Sequence, residues 1–138
     1  MADEAVTRGQ ATARAVIQRL EGVKHDGTDV ISLIIQPGER LSDINARLKG
    51  DYVWASNIPS RFSRISTLSA ITTVQQKLKG YSEVPRNGLI IYTGTIIEDD
   101  KYVKITVVFE PYRPPCASLY SRDWHFHTEA LHDLLEEE

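Results

Sequence analysis

Two groups of side chains in this sequence have the chemistry to hold a ligand. The first is the run Trp54-Ala55-Ser56-Asn57-Ile58-Pro59-Ser60-Arg61, followed closely by Arg64. Indoles stack bases, amides and hydroxyls reach base edges, and guanidinium groups meet phosphates; these are the parts used to hold single-stranded RNA. The competing reading is an ordinary capped corner between two helices. The second group is His125, His127 and His132 with Cys116. Alternate histidines on an extended stretch and one distant thiol lack a closed zinc spacing. A Cys–His catalytic pair would need an orienting third group that no motif supplies. No metal, cofactor or catalytic residue is expected, and Thr128 reads as the cap of a last helix.

The elements that must position the first group follow from periodicity. Ala13, Val16, Ile17 and Leu20 share one face of a helix over residues 11–23. Val30 to Ile35, closed by Pro37-Gly38, reads as a buried strand. Leu41, Ile44, Leu48 and Tyr52 recur at spacings of three and four, predicting a second helix up to Asn57. A third helix runs from about Pro59 to Tyr81. Its apolar residues Phe62, Ile65, Leu68, Ile71 and Val74 are spaced strictly by three, so the apolar line winds round the axis. Proline at a first helical position wastes no hydrogen bond and pushes Ile58 into extended geometry, which makes the break a sharp corner. Lys77 and Lys79 suit a helix C-terminus, whereas Arg61 and Arg64 do not suit an N-terminus.

Residues 89–97 and 102–109 read as strands joined by the polar connection Glu98-Asp99-Asp100-Lys101, and residues 116–120 would add a further strand. A short helix begins near Thr128. Tyr81, Tyr92, Tyr102 and Phe109 read as core or sheet residues. The order predicts an α+β fold: a two-layer arrangement of a small, mostly antiparallel sheet of three to four strands packed with helices, including a protruding helix hairpin.

The totals agree with one domain spanning residues 1–138, with 41% hydrophobic and 25% charged residues. A single cysteine excludes an intrachain disulfide. No apolar run approaches the roughly 20 residues of a membrane span, and the acidic start is unlike a secretory signal, so a cytoplasmic location is expected. The net charge of −3 is unevenly spread: residues 54–86 carry five Lys/Arg against one Asp/Glu, in an otherwise acidic chain. A basic segment of this kind is either a solvated helix face or one element set against phosphates.

The segment WASNIPSR resembles the TASNIKSR signature of eukaryotic and archaeal class-1 translation termination factors. The stretches GTDVISLIIQP, RISTLSAITTVQQKLKGYSEVPRNGLIIYTGTI, FEPYRPP and SLYSRDWHFHTEALHDLL read in register with the same family's N-terminal domain, so the resemblance covers essentially the whole chain. It implies a stop-codon-reading domain docked in the ribosomal decoding site as a tRNA mimic, with mRNA and ribosomal RNA as partners. The class-2 release-factor GTPase would bind mainly through other domains. Middle and C-terminal domains would lie elsewhere in a longer factor. Peptidyl-tRNA hydrolysis in the family belongs to a Gly-Gly-Gln loop of the middle domain, and Arg8-Gly9-Gln10 is not in that setting.

By position, Ala55, Ser56, Asn57, Ile58, Ser60 and Arg61 match the tip motif, and Tyr120, Asp123 and Phe126 match the family's YxCxxxF motif. Asp51 stands where the family has a purine-reading glutamate. Thr28 matches the threonine of a GTS motif that faces the third base. Trp54, Pro59 and Arg122 depart from the family's threonine, lysine and cysteine. A guanidinium suits the O6/N7 edge of guanine better than the N6 donor of adenine, so the departures imply an altered or narrowed codon preference. A ribosome-rescue paralogue that reads no codon, and a protein-interaction module using the hairpin tip, remain as alternatives.

Overall fold

The computed structural model describes residues 2–24 and 29–136; Thr28 lies outside them. The first strand, β1 (Val30–Ile35), dictates the architecture. All six of its residues are buried, and alternate side chains leave a strand on opposite faces, so both faces of the sheet need cover. It pairs antiparallel with β2 (Leu89–Glu98) on one side and β4 (Leu119–Asp123) on the other. β3 (Lys101–Phe109) pairs with β2, giving the order β3-β2-β1-β4.

Helices occupy both faces. Ile31, Leu33 and Ile35 pack with Leu89 and Ile91 under α2 (Leu41–Ala55) and α3 (Arg61–Leu78). Val30 and Ile34 pack with Ile90, Tyr92 and Ile96 under α1 (Ala2–Glu21) and α4 (Glu129–Asp133). The sheet is therefore the middle of three layers, where the sequence suggested two. The continuous VISLII run already demanded this, because a strand covered on one face only would alternate apolar with polar. Each fully buried Ile or Leu contributes roughly 1.5–3 kcal/mol. The one polar residue of β1, Ser32, accepts the His127 amide N–H at 2.9 Å, and the Tyr92 hydroxyl donates to the His127 carbonyl at 2.8 Å. These two bonds pin the segment after β4 to the sheet. Among the described residues no helix is long and apolar enough to cross a membrane.

The α2–α3 corner differs from its sequence reading in one respect. Pro59 sits outside the helix, one residue before the N-cap Ser60, whose hydroxyl accepts the Ser63 amide at 3.4 Å. An arginine that the helix dipole disfavours is held there by a local bond. Arg64 Nη1 donates to the Ile58 carbonyl at 3.0 Å, closing the corner. The winding apolar line of α3 also resolves. Its first members, Phe62 and Ile65, are exposed, and Ile71 and Val74 are fully buried. The hairpin is anchored to the sheet where the Phe62 ring packs on Tyr102 of β3 at 4.6 Å and Ser66 bonds Thr95 of β2. Its end is open to solvent, with Tyr52, Val53, Trp54, Phe62 and Ile65 exposed on either side of the corner. At the β2–β3 hairpin, Asp99 and Asp100 adopt φ of 52° and 63°, the left-handed values of a two-residue turn.

Candidate nucleic-acid interface

The outer flank of α2 carries Arg47, Asp51 and Trp54 at spacings of four and three, so they lie one above the other on one face. In β4, Tyr120 and Arg122 share the sheet face that α2 covers, because Leu33 and Ile31, their partners in β1, belong to the core beneath α2 and α3. Side chains separated by some seventy residues of chain thus meet. Arg122 Nη1 donates to Asp29 Oδ2 at 2.8 Å, and its Nε lies 3.5 Å from Asp51 Oδ2. Its guanidinium stacks over the Trp54 indole, 4.1 Å from the ring centroid. The Tyr120 hydroxyl donates to the same Asp51 oxygen, and the Arg47 guanidinium lies 4.8 Å above the Tyr120 ring.

The electrostatics of this group are balanced, two guanidiniums against two carboxylates. Arg122 is only 17% exposed and Asp51 28%, whereas Trp54 is 56% exposed. Burial, and then the adjoining Asp51 carboxylate, push the Tyr120 hydroxyl well above the ordinary tyrosine range, so it remains a proton donor. A hollow of about 90 Å³ opens beside Tyr120, lined by Ile44, Arg47 and Leu119 among others. Trp54 and Arg122 lie outside it. The arrangement is an open aromatic and charged surface: an indole available for stacking, backed by a guanidinium that two carboxylates hold in place.

The remaining expected site residues fall in three places. Ser56, Asn57, Pro59, Ser60 and Arg61 are exposed at the corner next to Trp54, and Ile58 is half-buried. Part of their polar capacity serves the backbone: Ser56 Oγ donates to the Tyr52 carbonyl and Asn57 Nδ2 to that of Val53, while Arg64 is spent on Ile58. Ala55 is buried under α3 and is core. Asp123 and Phe126 lie on the other side of the sheet. Phe126 packs edge-on against Tyr92 in the α1/α4 core, and Asp123 bonds His127. The YxCxxxF-like stretch is thereby split, with two of its members on the α2 face and two behind it. Thr28 belongs to the undescribed segment.

Two members of the cluster had no place in the sequence reading. Arg47 was legible from its four-residue spacing to Asp51 on a helix. Asp29 had no local signal, because its role depends on the β1–β4 register. The Thr128 hydroxyl makes no capping bond and donates instead to Glu21 of α1 at 2.8 Å.

Comparison with known proteins supplies the family. Residues 10–136 match the family model described as eRF1 domain 1. The chain is 51% identical over 138 residues to eukaryotic peptide chain release factor subunit 1-2 of Arabidopsis thaliana, covering 99% of this chain and 32% of that protein. It is 46% identical over 137 residues to eukaryotic peptide chain release factor subunit 1 of Cryptosporidium hominis, again 99% of this chain and 32% of that one. The crystal structure of the archaeal translation termination factor aRF1 superposes with a TM-score of 0.81 at 26% identity, over 93% of this chain and 35% of that chain. The chain thus spans about a third of the length of the curated relatives it matches. On its sequence, its α+β architecture and its extent, it belongs to the eRF1 family and corresponds to that family's first, N-terminal domain.

Proposed function

We propose that this domain recognises mRNA stop codons in the ribosomal decoding site during translation termination. The observation that carries the reading is the junction of α2 with β4, where Arg122 stacks on Trp54 and shares Asp51 with Tyr120. It joins the flank leading to the NIKS-like corner to the YxCxxxF-like strand, on one exposed face. Trp54 offers a stacking plane, Asn57, Ser60 and Arg61 offer donors at the corner, and Arg122 offers a preset donor beside them, with Tyr120 holding Asp51 in place. Peptidyl-tRNA hydrolysis, and docking of the class-2 GTPase, belong to other domains of the full-length factor.

The cluster also supports a narrowed codon preference. Both contacts to Asp51 fall on Oδ2, which leaves Oδ1 as the oxygen to accept from a purine amino group. Arg122, fixed by Asp29 and Trp54, would suit an acceptor-rich edge such as guanine presents better than the N6 amino group of adenine. The test is peptide release on ribosomes programmed with UAA, UAG or UGA, using the full-length factor that carries this domain. Uneven release across the three codons is expected, with Arg122→Cys evening it. Equal responses to all three codons in both proteins would remove the preference.

A further inference from the structure

On the sheet face away from Arg122, the chain bends at Trp124 and His125 as it leaves β4, and the bend brings the side chains of Asp123, His125 and His127 together. One donor atom from each of the three lies within 4.8 Å of the others. His127 Nε2 is 3.0 Å from Asp123 Oδ2, and His125 Nδ1 is 4.0 Å from that same oxygen. The His125 and His127 rings lie 4.3 Å apart between centroids.

From this geometry we propose that Asp123, His125 and His127 form a binding site for a borderline divalent transition metal, Zn²⁺ being the natural occupant by ligand type. Two imidazoles and one carboxylate are a donor set that such ions favour, with a further position left for water. Bonds of about 2.0–2.2 Å place tetrahedral ligands roughly 3.4 Å apart. The Asp123–His127 separation is already near that value, and closure requires mainly a small rotation of His125.

Three features prepare the site. His125 Nδ1 is buried without a hydrogen-bond partner, an unfavourable state that a metal bond removes. Asp123 Oδ1 accepts the Trp124 amide N–H at 2.7 Å, which turns Oδ2 toward the imidazoles. The backbone of His127 is fixed by Ser32 and Tyr92, and Glu129 Oε2 stands 3.9 Å from its Nδ1. A carboxylate on the second ring nitrogen is the usual outer partner of a metal-bound histidine. Cys116, the thiol that the sequence set beside these histidines, neighbours Asp133 and contributes nothing here.

The competing arrangement is a purely protonic cluster, with imidazolium groups paired to Asp123. Titration of the tag-free 138-residue chain with Zn²⁺ and with Co²⁺ separates the two. Binding of one equivalent is expected, with Co²⁺ developing visible ligand-field bands of a four-coordinate nitrogen and oxygen site. His125→Asn should abolish both, and Glu129→Gln should weaken binding roughly tenfold. His132→Asn, which alters only the histidine paired with Glu21, should leave binding intact. Should His127→Asn fail to fold, His125→Asn still decides, because that ring makes no backbone-fixing bond. Absence of one-to-one binding at millimolar Zn²⁺, or binding unchanged in His125→Asn, would overturn the proposal.

Discussion

Arg122 holds two carboxylates and an indole together, and this predicts a coupling that unfolding experiments can resolve. At 3.5 Å and an effective dielectric constant near 20, the Arg122–Asp51 attraction is about 4–5 kcal/mol before desolvation. Both side chains are more than two-thirds covered, so desolvation takes back most of it, leaving a coupling of about 1 kcal/mol. Arg122→Met also removes the charge-assisted bond to Asp29 and the stack on Trp54. It leaves Asp29 and Asp51 near each other without a counter-charge. A loss of about 2–3 kcal/mol is expected for that variant. Asp51→Asn keeps an acceptor for Tyr120 and should cost about 1 kcal/mol. The double variant, relieved of one carboxylate, should be less destabilised than the two losses combined, by about 1 kcal/mol. Urea unfolding of the 138-residue chain followed by circular dichroism, with m unchanged, gives the three values. Losses that add to within about 0.3–0.5 kcal/mol would refute the reasoning.

Three further outcomes follow from the packing and the charges. A Cβ at Gly94 would stand 2.5 Å from Val30 Cγ1; Gly94→Ala should lower stability by about 1–3 kcal/mol, and Val30→Ala in the same chain should restore part of it, as read by urea midpoint. His132 and the Thr128 hydroxyl hold the Glu21 carboxyl below its ordinary 4.5. A depressed carboxylate contributes stability above its unfolded value and loses it as pH falls through the folded one. Glu21→Gln should therefore melt lower than the parent at neutral pH and converge with it on acidification below 4.5; a gap that widens in acid contradicts the assignment. Asp100→Gly, at φ of 63°, should raise stability by about 0.5–1 kcal/mol in the same urea assay.

How far the sequence could be read divides by the range of the interactions involved. Strands β1, β2 and β3, the polar connection at Glu98–Lys101 and the break near Pro59 rest on local patterns, and each is where the residues put it. β4 falls at Leu119–Asp123, shifted from the expected 116–120, because its extent is set by pairing with β1. The helix count was legible, though α1 begins near the chain start, because polar residues in its first turns hide the amphipathic stripe. The third layer was implicit in VISLII but needed the pairing of β1 with both neighbours to become visible. The tip residues were recognisable as a motif, yet the motif does not say that Ser56, Asn57 and Arg64 spend donors on the backbone. Tyr120 and Phe126 look equivalent in a string of letters. Strand parity alone would put both on one face; the bend at Trp124 and His125, just past the end of β4, carries Phe126 into the α1/α4 core while Tyr120 stays under α2. Asp29 and the Asp123–His125–His127 group depended on register and on the exit path of β4, which no window along the chain contains.

The central claim is that the α2 flank and β4 form one codon-facing surface, and photo-cross-linking addresses it directly. Ribosomes carrying a stop codon with 4-thiouridine in its first position would be mixed with the full-length factor that contains this domain. Adducts are expected within residues 51–61 and 120–122, and they should fall away when the stop codon is replaced by a sense codon. Adducts of equal yield on sense and stop codons, or adducts absent from both segments, would contradict it.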